Sequence, residues 1–292
     1  MTNSAIKYQS AAIVEIDAAS FDAPILSHTF SDGRGEIVFV GCLTSIGERA
    51  FSKNEDIISI ILPETLQIIG SNAFWCCRNL KEVVIVGENL QTVGNCAFRQ
   101  CSELASINLP DSVTSIGKEA FGLCWGLQSF KIPRGVTKIE EWTFNGAKLT
   151  QLTIPDNVKE IGYRAFAHTN IQSLVIPGTL KRVSRIAFWH SDELEDLKIC
   201  DGVEVIEPMA FAECIKLKNI DFGNTITLID EQAFEEDAML TSVVIPPSVK
   251  EIKWRAFNKC SSLKDVTVSS NTLIDDQAFN CFEIKRVKGR EL

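Results

Sequence analysis

A solenoid of stacked, strand-bearing turns is the architecture this sequence predicts, and three observations predict it. Phenylalanine returns at Phe51, Phe74, Phe98, Phe121, Phe144, Phe166, Phe188, Phe211, Phe234, Phe257 and Phe279, at intervals of 22 to 24 residues. Alanine precedes every one except Phe144, which follows Thr143. Each interval also opens on an apolar triplet of one spacing, such as Leu104/Ile107/Leu109 or Leu194/Leu197/Ile199. Self-similarity at a period of roughly 20–29 residues marks a leucine-rich solenoid, here of about eleven rungs. No such turn buries its apolar face alone, so neighbours must stack, each contacting mainly the next.

Residues 1–40 lie outside the period and read as an N-terminal cap. IKYQS and AAIVEID alternate like strands, with Phe21 and Ile25 as apolar anchors. ILSHTF and EIVFVG flank a turn bearing Asp32, Gly33 and Gly35, a β-hairpin signal. A cap is needed because an open first turn exposes apolar side chains and unpaired strand edges. The repeats occupy 41–282. Residues 283–292 form a C-terminal edge, in which Ile284 and Val287 begin one more strand and Lys285, Arg286, Lys288 and Arg290 discourage further pairing.

Within a turn, the last two members of the triplet are two residues apart, which puts both on one face of a strand. Proline closes the strand at Pro63, Pro110, Pro133, Pro155, Pro177 and Pro246, because it lacks the N–H a strand interior needs. A Val-x-x-Ile pair such as Val113/Ile116 then crosses the back. The glycine after it (Gly47, Gly70, Gly94, Gly117, Gly162) gives way to Glu140, Ser184, Glu207, Asp230 and Lys253 elsewhere, so a positive φ is not obligatory there. The Ala-Phe step follows, a small residue allowing close approach and a ring stacked on its predecessor.

Ten cysteines suggest disulfides until they are set on the repeat. Cys77, Cys101, Cys124, Cys214 and Cys260 all fall three residues after the phenylalanine, a slot that Ala147, Thr169, Ser191 and Asp237 fill elsewhere. That mixture describes a small packing position, which a free thiol suits. Sulfurs one strand spacing apart, ~4.8 Å, cannot bond at ~2.05 Å without distortion. The thiols are therefore read as reduced, with the vicinal Cys76–Cys77 pair the place to test for oxidation.

A net charge of −9 argues against nucleic-acid binding. Glu15 and Asp17 interrupt the only candidate leader segment, and no apolar run is long enough to span a membrane. As written, the chain reads as cytoplasmic.

The unit Leu104–Cys124 is similar to the BspA-type leucine-rich repeat, Leu-x-x-Val-x-Ile-Pro-x-x-Val-x-x-Ile-Gly-x-x-Ala-Phe-x-x-Cys, and the resemblance covers about 41–282. The lead-in SHTFSDGRGEIVFVGCLTSIGERAF resembles that of gut Bacteroidales proteins of this type. Val86, Cys200, Gly223 and Ser269 depart from the pattern at the proline. The resemblance implies a right-handed curved coil with a parallel sheet on its concave face. It also implies a family of binding proteins, many of them cell-surface proteins linked to adhesion, with no catalytic residues to carry over.

The outward positions of that sheet are the candidate partner-binding surface. Its most charged stretch is Asp196, Lys198, Asn219, Asp221 and Asp265. His168 and His190 with Glu213 and Glu236 form a column at strand spacing, but neighbouring turns seldom converge on one ion, so these read as solvent-facing polar residues and no metal is assigned. Trp75, Trp125, Trp142, Trp189 and Trp254 lie near the phenylalanine corner and read as half-packed. No phosphate loop or nucleophile motif occurs, and three histidines offer no triad. The expectation is a non-catalytic, cofactor-free interaction module for a protein or glycan ligand, without nucleic-acid binding or membrane insertion. The alternative is a self-assembling scaffold.

Overall fold

The computed structural model of the protein describes residues 3–279 and the strand Arg286–Lys288. The rest of the expected C-terminal edge, including Ile284, Lys285 and Arg290, lies outside the described residues. The chain divides into two compact units, 1–149 and 150–292.

The first unit opens with three antiparallel strands: β1 (Ala5–Ser10), β2 (Ile25–Ser31) and β3 (Arg34–Phe39). The β2–β3 hairpin turns at Asp32 and Gly33, both at positive φ. β1 lies between β3 and Ile57–Leu62, antiparallel to both, so the cap extends the long-strand sheet. AAIVEID, expected as a strand, is not one. The ladder slips between Gln9 and Ser10, the chain bends away, and Val14 plugs the core with its N–H 3.4 Å from the Tyr8 hydroxyl. Phe21 is buried against Phe39 and Phe51, as an anchor should be, whereas Ile25 is only half-buried. Gly35 carries no side chain because the Tyr8 ring occupies the space; a Cβ there would lie 1.9 Å from Tyr8 Cζ.

Beyond the cap, Ile57–Leu62, Glu82–Ile85 and Ser106–Ile107 run parallel. Apolar triplet members turn inward, and Ile60, Leu62, Leu80 and Leu104 are buried completely. A second parallel sheet of two-residue strands (Ser45–Ile46, Ile68–Ile69, Thr92–Val93, Ser115–Ile116) carries the second member of each Val-x-x-Ile-type pair. The prolines do more than stop strands. Pro63 and Pro110 each accept a bond from the N–H three residues on, at 3.1 Å, and so open the turn to the back. No strand forms at 127–132. There Phe130 takes a slot that other turns give to Val, Ile or Leu, and its ring lies tilted against Phe121 and Phe144, 5.0 and 4.7 Å away.

The second unit repeats the plan. Ser173–Ile176, Asp196–Ile199 and Asn219–Asp221 form one parallel sheet; Ser242–Val244, Asp265–Thr267 and Arg286–Lys288 form another. Arg182–Val183, Val205–Ile206, Leu228–Ile229, Glu251–Ile252 and Leu273–Ile274 make the short sheet behind them.

Phenylalanine rings run as a file through each unit. In the first, Phe51, Phe74, Phe98, Phe121 and Phe144 stack at 5.1 to 5.5 Å with planes within 8°. In the second, Phe166 through Phe279 stack at 5.1 to 5.5 Å within 10°. Each pair contributes ~0.5–1.5 kcal/mol beyond its area burial.

The corner holding each ring has a backbone that no glycine announces. The residues two before and two after the ring are left-handed from Phe51 to Phe257: Arg49 and Lys53, Asn72 and Cys76, and so on to Arg255 and Lys259, with Gly146 the one glycine among them. Left-handed φ costs an L-residue ~1–2 kcal/mol. Here it aims alternate N–H groups at the next turn: Arg49, Phe51 and Lys53 donate to the carbonyls of Ser71, Ala73 and Trp75 at 3.0, 2.8 and 2.6 Å. The glycines four residues before the ring are not left-handed. They stand where turns touch, and a Cβ on Gly70 would come within 2.6 Å of the Gly47 backbone.

Candidate functional site

Alternation along the long strands sets the candidate surface. In the second unit Leu174, Leu197 and Val243 point into the core, so their neighbours on either side point out. Register then aligns the outward residues into two rows. Ser173, Asp196 and Asn219 form one, with Ser242 and Asp265 paired in the adjoining sheet. Val175, Lys198 and Asp221 form the other, with Val244 paired to Thr267.

Between the rows runs a trough of 460 Å³, bordered by Asp196, Lys198, Asn219 and Asp221 and closed by Val175 and Val244. The structure thus brings four of the five candidate residues together. Asp265 is exposed and paired with Ser242 at the trough's end, outside its lining. The side chains are mutually braced. Asn219 Nδ2 donates to Asp196 Oδ1 at 2.7 Å, and Lys198 Nζ lies 3.9 Å from Asp221 Oδ2. Lys218, not among the candidates from sequence, lines the same trough and bonds Glu195 Oε2 at 2.7 Å. Only its one-turn offset from Glu195, 23 residues, hints at that pairing. Val175 and Val244 are 50% and 66% exposed, so the surface mixes apolar with charged groups.

The histidine column is less open than expected. His168 and His190 are half-buried and stack at 5.0 Å, and each ring meets Trp189 edge-on. His190 Nε2 lies 2.7 Å from Glu213 Oε2, and Nδ1 lies 3.3 Å from Asp192 Oδ1. Glu236 pairs instead with Lys259. Among the described residues no group of three His, Cys, Asp or Glu side chains is placed to hold a metal ion. Trp75, Trp142, Trp189 and Trp254 are half-buried, but Trp125 is 57% exposed, correcting its expected packing. It stands four residues after its phenylalanine, past the corner where the others lie.

The cysteine slot proves to be a hydrogen-bonding one. Cys77, Cys101 and Cys124 are buried, and each Sγ donates to the carbonyl of the phenylalanine one turn earlier (Phe51, Phe74, Phe98) at 3.0 to 3.1 Å. Cys260 does the same to Phe234 at 3.2 Å. Burial pushes the Cys77 and Cys124 thiols up to about 12. Nine cysteines among the described residues are free.

The sequence profile of the BspA type leucine-rich repeat region matches residues 25–88, 84–195 and 183–291, in six copies. No curated protein matches the chain. Among solved structures it is similar to the pneumococcal vaccine antigen PcpA, 20% identical over 96% of this chain and 92% of that one, with a TM-score of 0.57. It is also similar to a leucine-rich cell surface protein from Faecalibacterium prausnitzii, 27% identical over 92% and 86% with a TM-score of 0.47. A leucine-rich repeat protein from Bacteroides ovatus is 21% identical over 92% and 91%, with a TM-score of 0.47. The PcpA likeness bears on the fold, a leucine-rich-repeat solenoid, and the profile match on the family: this chain belongs to the BspA type leucine-rich repeat proteins.

Proposed function

We propose that the protein is a non-catalytic recognition module, and that the long-strand face of its second unit engages a protein partner. The observation that carries this reading is the braced trough between Asp196/Asn219 and Lys198/Asp221. Inward residues of these strands serve the core, while the outward ones hold charges in place beside exposed valines. Charged groups held by neighbours lose less side-chain entropy on binding than free ones, and mixed charge with apolar area suits a polar, non-obligate interface. Family membership supports binding as the role and a cell-surface setting for it. A glycan partner is the narrower alternative, and the absence of an exposed aromatic from the trough lining weighs against it.

Affinity capture with the wild-type chain and with Asp196→Ala/Asp221→Ala tests the proposal. Specific partners should be retained by the first and lost by the second, with only a small fall in unfolding temperature, since both residues are exposed and lose only the exposed hydrogen bonds from Asn219 and the Gly223 N–H. Equal retention by the two would refute it. Light scattering over a concentration series addresses the scaffold alternative, since only a self-assembler grows in mass. Most tryptophans of that edge are engaged within the chain, with Lys53 over the Trp75 ring and Trp189 and Trp254 donating to Glu213 and Gln277, whereas Trp125 is 57% exposed.

A further inference from the structure

The long-strand face of the first unit does not stop at the first repeat. Because β1 joins Ile57–Leu62 and β3 joins β1, register carries two outward rows across the cap. Glu36, Lys7 and Ile61 align in one; Arg34, Gln9 and Ser59 align in the other. Between them lies a trough of 470 Å³, within the ~300–1,000 Å³ range of small-ligand sites. Its floor is the backbone at Tyr8 and Gly35, whose own positions are buried.

The charges in this trough do not cancel. Lys7 Nζ lies 3.6 Å from Glu36 Oε1 and is neutralised by it. Arg34 is exposed and, among the described residues, makes no ion pair. Among the lining residues one positive charge is therefore in excess, on a chain of net charge −9, and Glu82 is the next residue along the Arg34–Gln9–Ser59 row. Around the guanidinium are Gln9, Ser59 and Ser31, short neutral groups that both donate and accept. Ile61, 40% exposed, and the half-buried Phe30 give the trough its apolar surface.

We propose that this trough is a second binding site and takes a carboxylate-bearing sugar. Arg34 grips the carboxylate through two parallel N–H bonds, the geometry a guanidinium fork matches. Gln9 and the serines meet ring hydroxyls, and Ile61 lies along a C–H face. An acidic peptide fits less well. The floor strands β1 and β3 each pair on both sides, so main-chain groups are free only along the outer edge of β2, at the rim and in the plane of the sheet rather than facing the trough. The site is separate from the trough of the second unit and stands or falls independently of it.

The test is an NMR titration of the full chain with glucuronic acid, with glucose as the neutral probe and an oligoglutamate peptide as the acidic non-sugar. Glucuronate is expected to shift the amides of Lys7–Gln9 and Arg34–Glu36, glucose far less, and added salt should weaken binding. Arg34→Gln should reduce glucuronate affinity at least roughly tenfold, the size of one lost charge-assisted pair. Arg34→Lys should recover only part of it. If an Arg34 variant fails to fold, Gln9→Ala carries the same expectation of weaker binding. Equal shifts with glucose, unchanged affinity in the variants, no shifts at millimolar glucuronate, or binding of oligoglutamate alone would each overturn the proposal.

Discussion

Asp237 Oδ1 accepts the backbone N–H of Cys214 at 2.9 Å, deep in a slot where other turns place a thiol or hydroxyl. Its Oδ2 is buried without a hydrogen-bond partner. Burial raises the carboxyl well above the usual carboxylate range, although the Cys214 N–H pulls the other way. A raised carboxyl keeps its proton in the folded state after the unfolded chain has lost it. Its contribution to stability is thus complete below the ordinary pKa near ~4 and is lost as pH rises through the folded value. Asp237→Ser should therefore stabilise the protein at pH 8 by about 1–3 kcal/mol, and by less at pH 4.5. Urea unfolding at the two pH values checks this. A gain that is equal at both, or larger in acid, contradicts it.

The thiol file makes a chemical prediction. Cys77, Cys101, Cys124, Cys214 and Cys260 are buried, and desolvation raises the thiols of the first four. Cys42 is exposed. Since the thiolate is the reacting form, iodoacetamide at pH 8 should label Cys42 and leave those five unmodified until denaturant is added. Peptide mapping by mass spectrometry reads the pattern. Rapid native labelling of Cys124 would mean that the file opens.

Two glycines of the first unit should behave oppositely. Gly70→Ala places a Cβ within 2.6 Å of the preceding turn's backbone and should cost about 1–3 kcal/mol through displaced packing. Gly122→Ala meets nothing closer than 3.4 Å at ordinary φ and should be near neutral, or slightly stabilising because Gly costs entropy. Thermal unfolding of the pair measures the difference directly.

The cap carries an acid-sensitive bond. Tyr8 Oη and His28 Nε2 are 2.7 Å apart, and the Val14 N–H approaches the same hydroxyl at 3.4 Å. With the Tyr8 hydroxyl accepting from Val14, its proton goes to His28, which must be neutral at Nε2. Burial lowers the His28 pKa. The histidine's contribution is accordingly present above the ordinary value near ~6.5 and is lost as pH falls through the folded one. Tyr8→Phe should cost about 1 kcal/mol at pH 8 and less at pH 5. The protection factor of the Val14 amide, its exchange rate relative to the intrinsic rate at the same pH, should fall in acid for the wild type. A protection factor unchanged between pH 8 and pH 5 would exclude the assignment.

The Phe files, the inward triplets, the hairpin and the thiol slot are all legible in the sequence, because burial recurs with the period and leaves a composition trace at every position that needs it. The trough-forming residues are legible only as outward positions. That Asn219 braces Asp196, or that Lys218 reaches Glu195, depends on register between strands 23 residues apart, which alternation within one strand does not encode. The left-handed pairs flanking each ring leave no trace either. Arg, Cys, Glu, Ile and Met occupy them, since inter-turn hydrogen bonds rather than glycine impose that backbone. Likewise, nothing local tells AAIVEID to leave the sheet or β1 to enter it between β3 and the first repeat. Period and composition alone specify which side chains go inside and how often. Which surface groups meet is settled only in the folded chain, because those encounters are set by the stacking of distant turns.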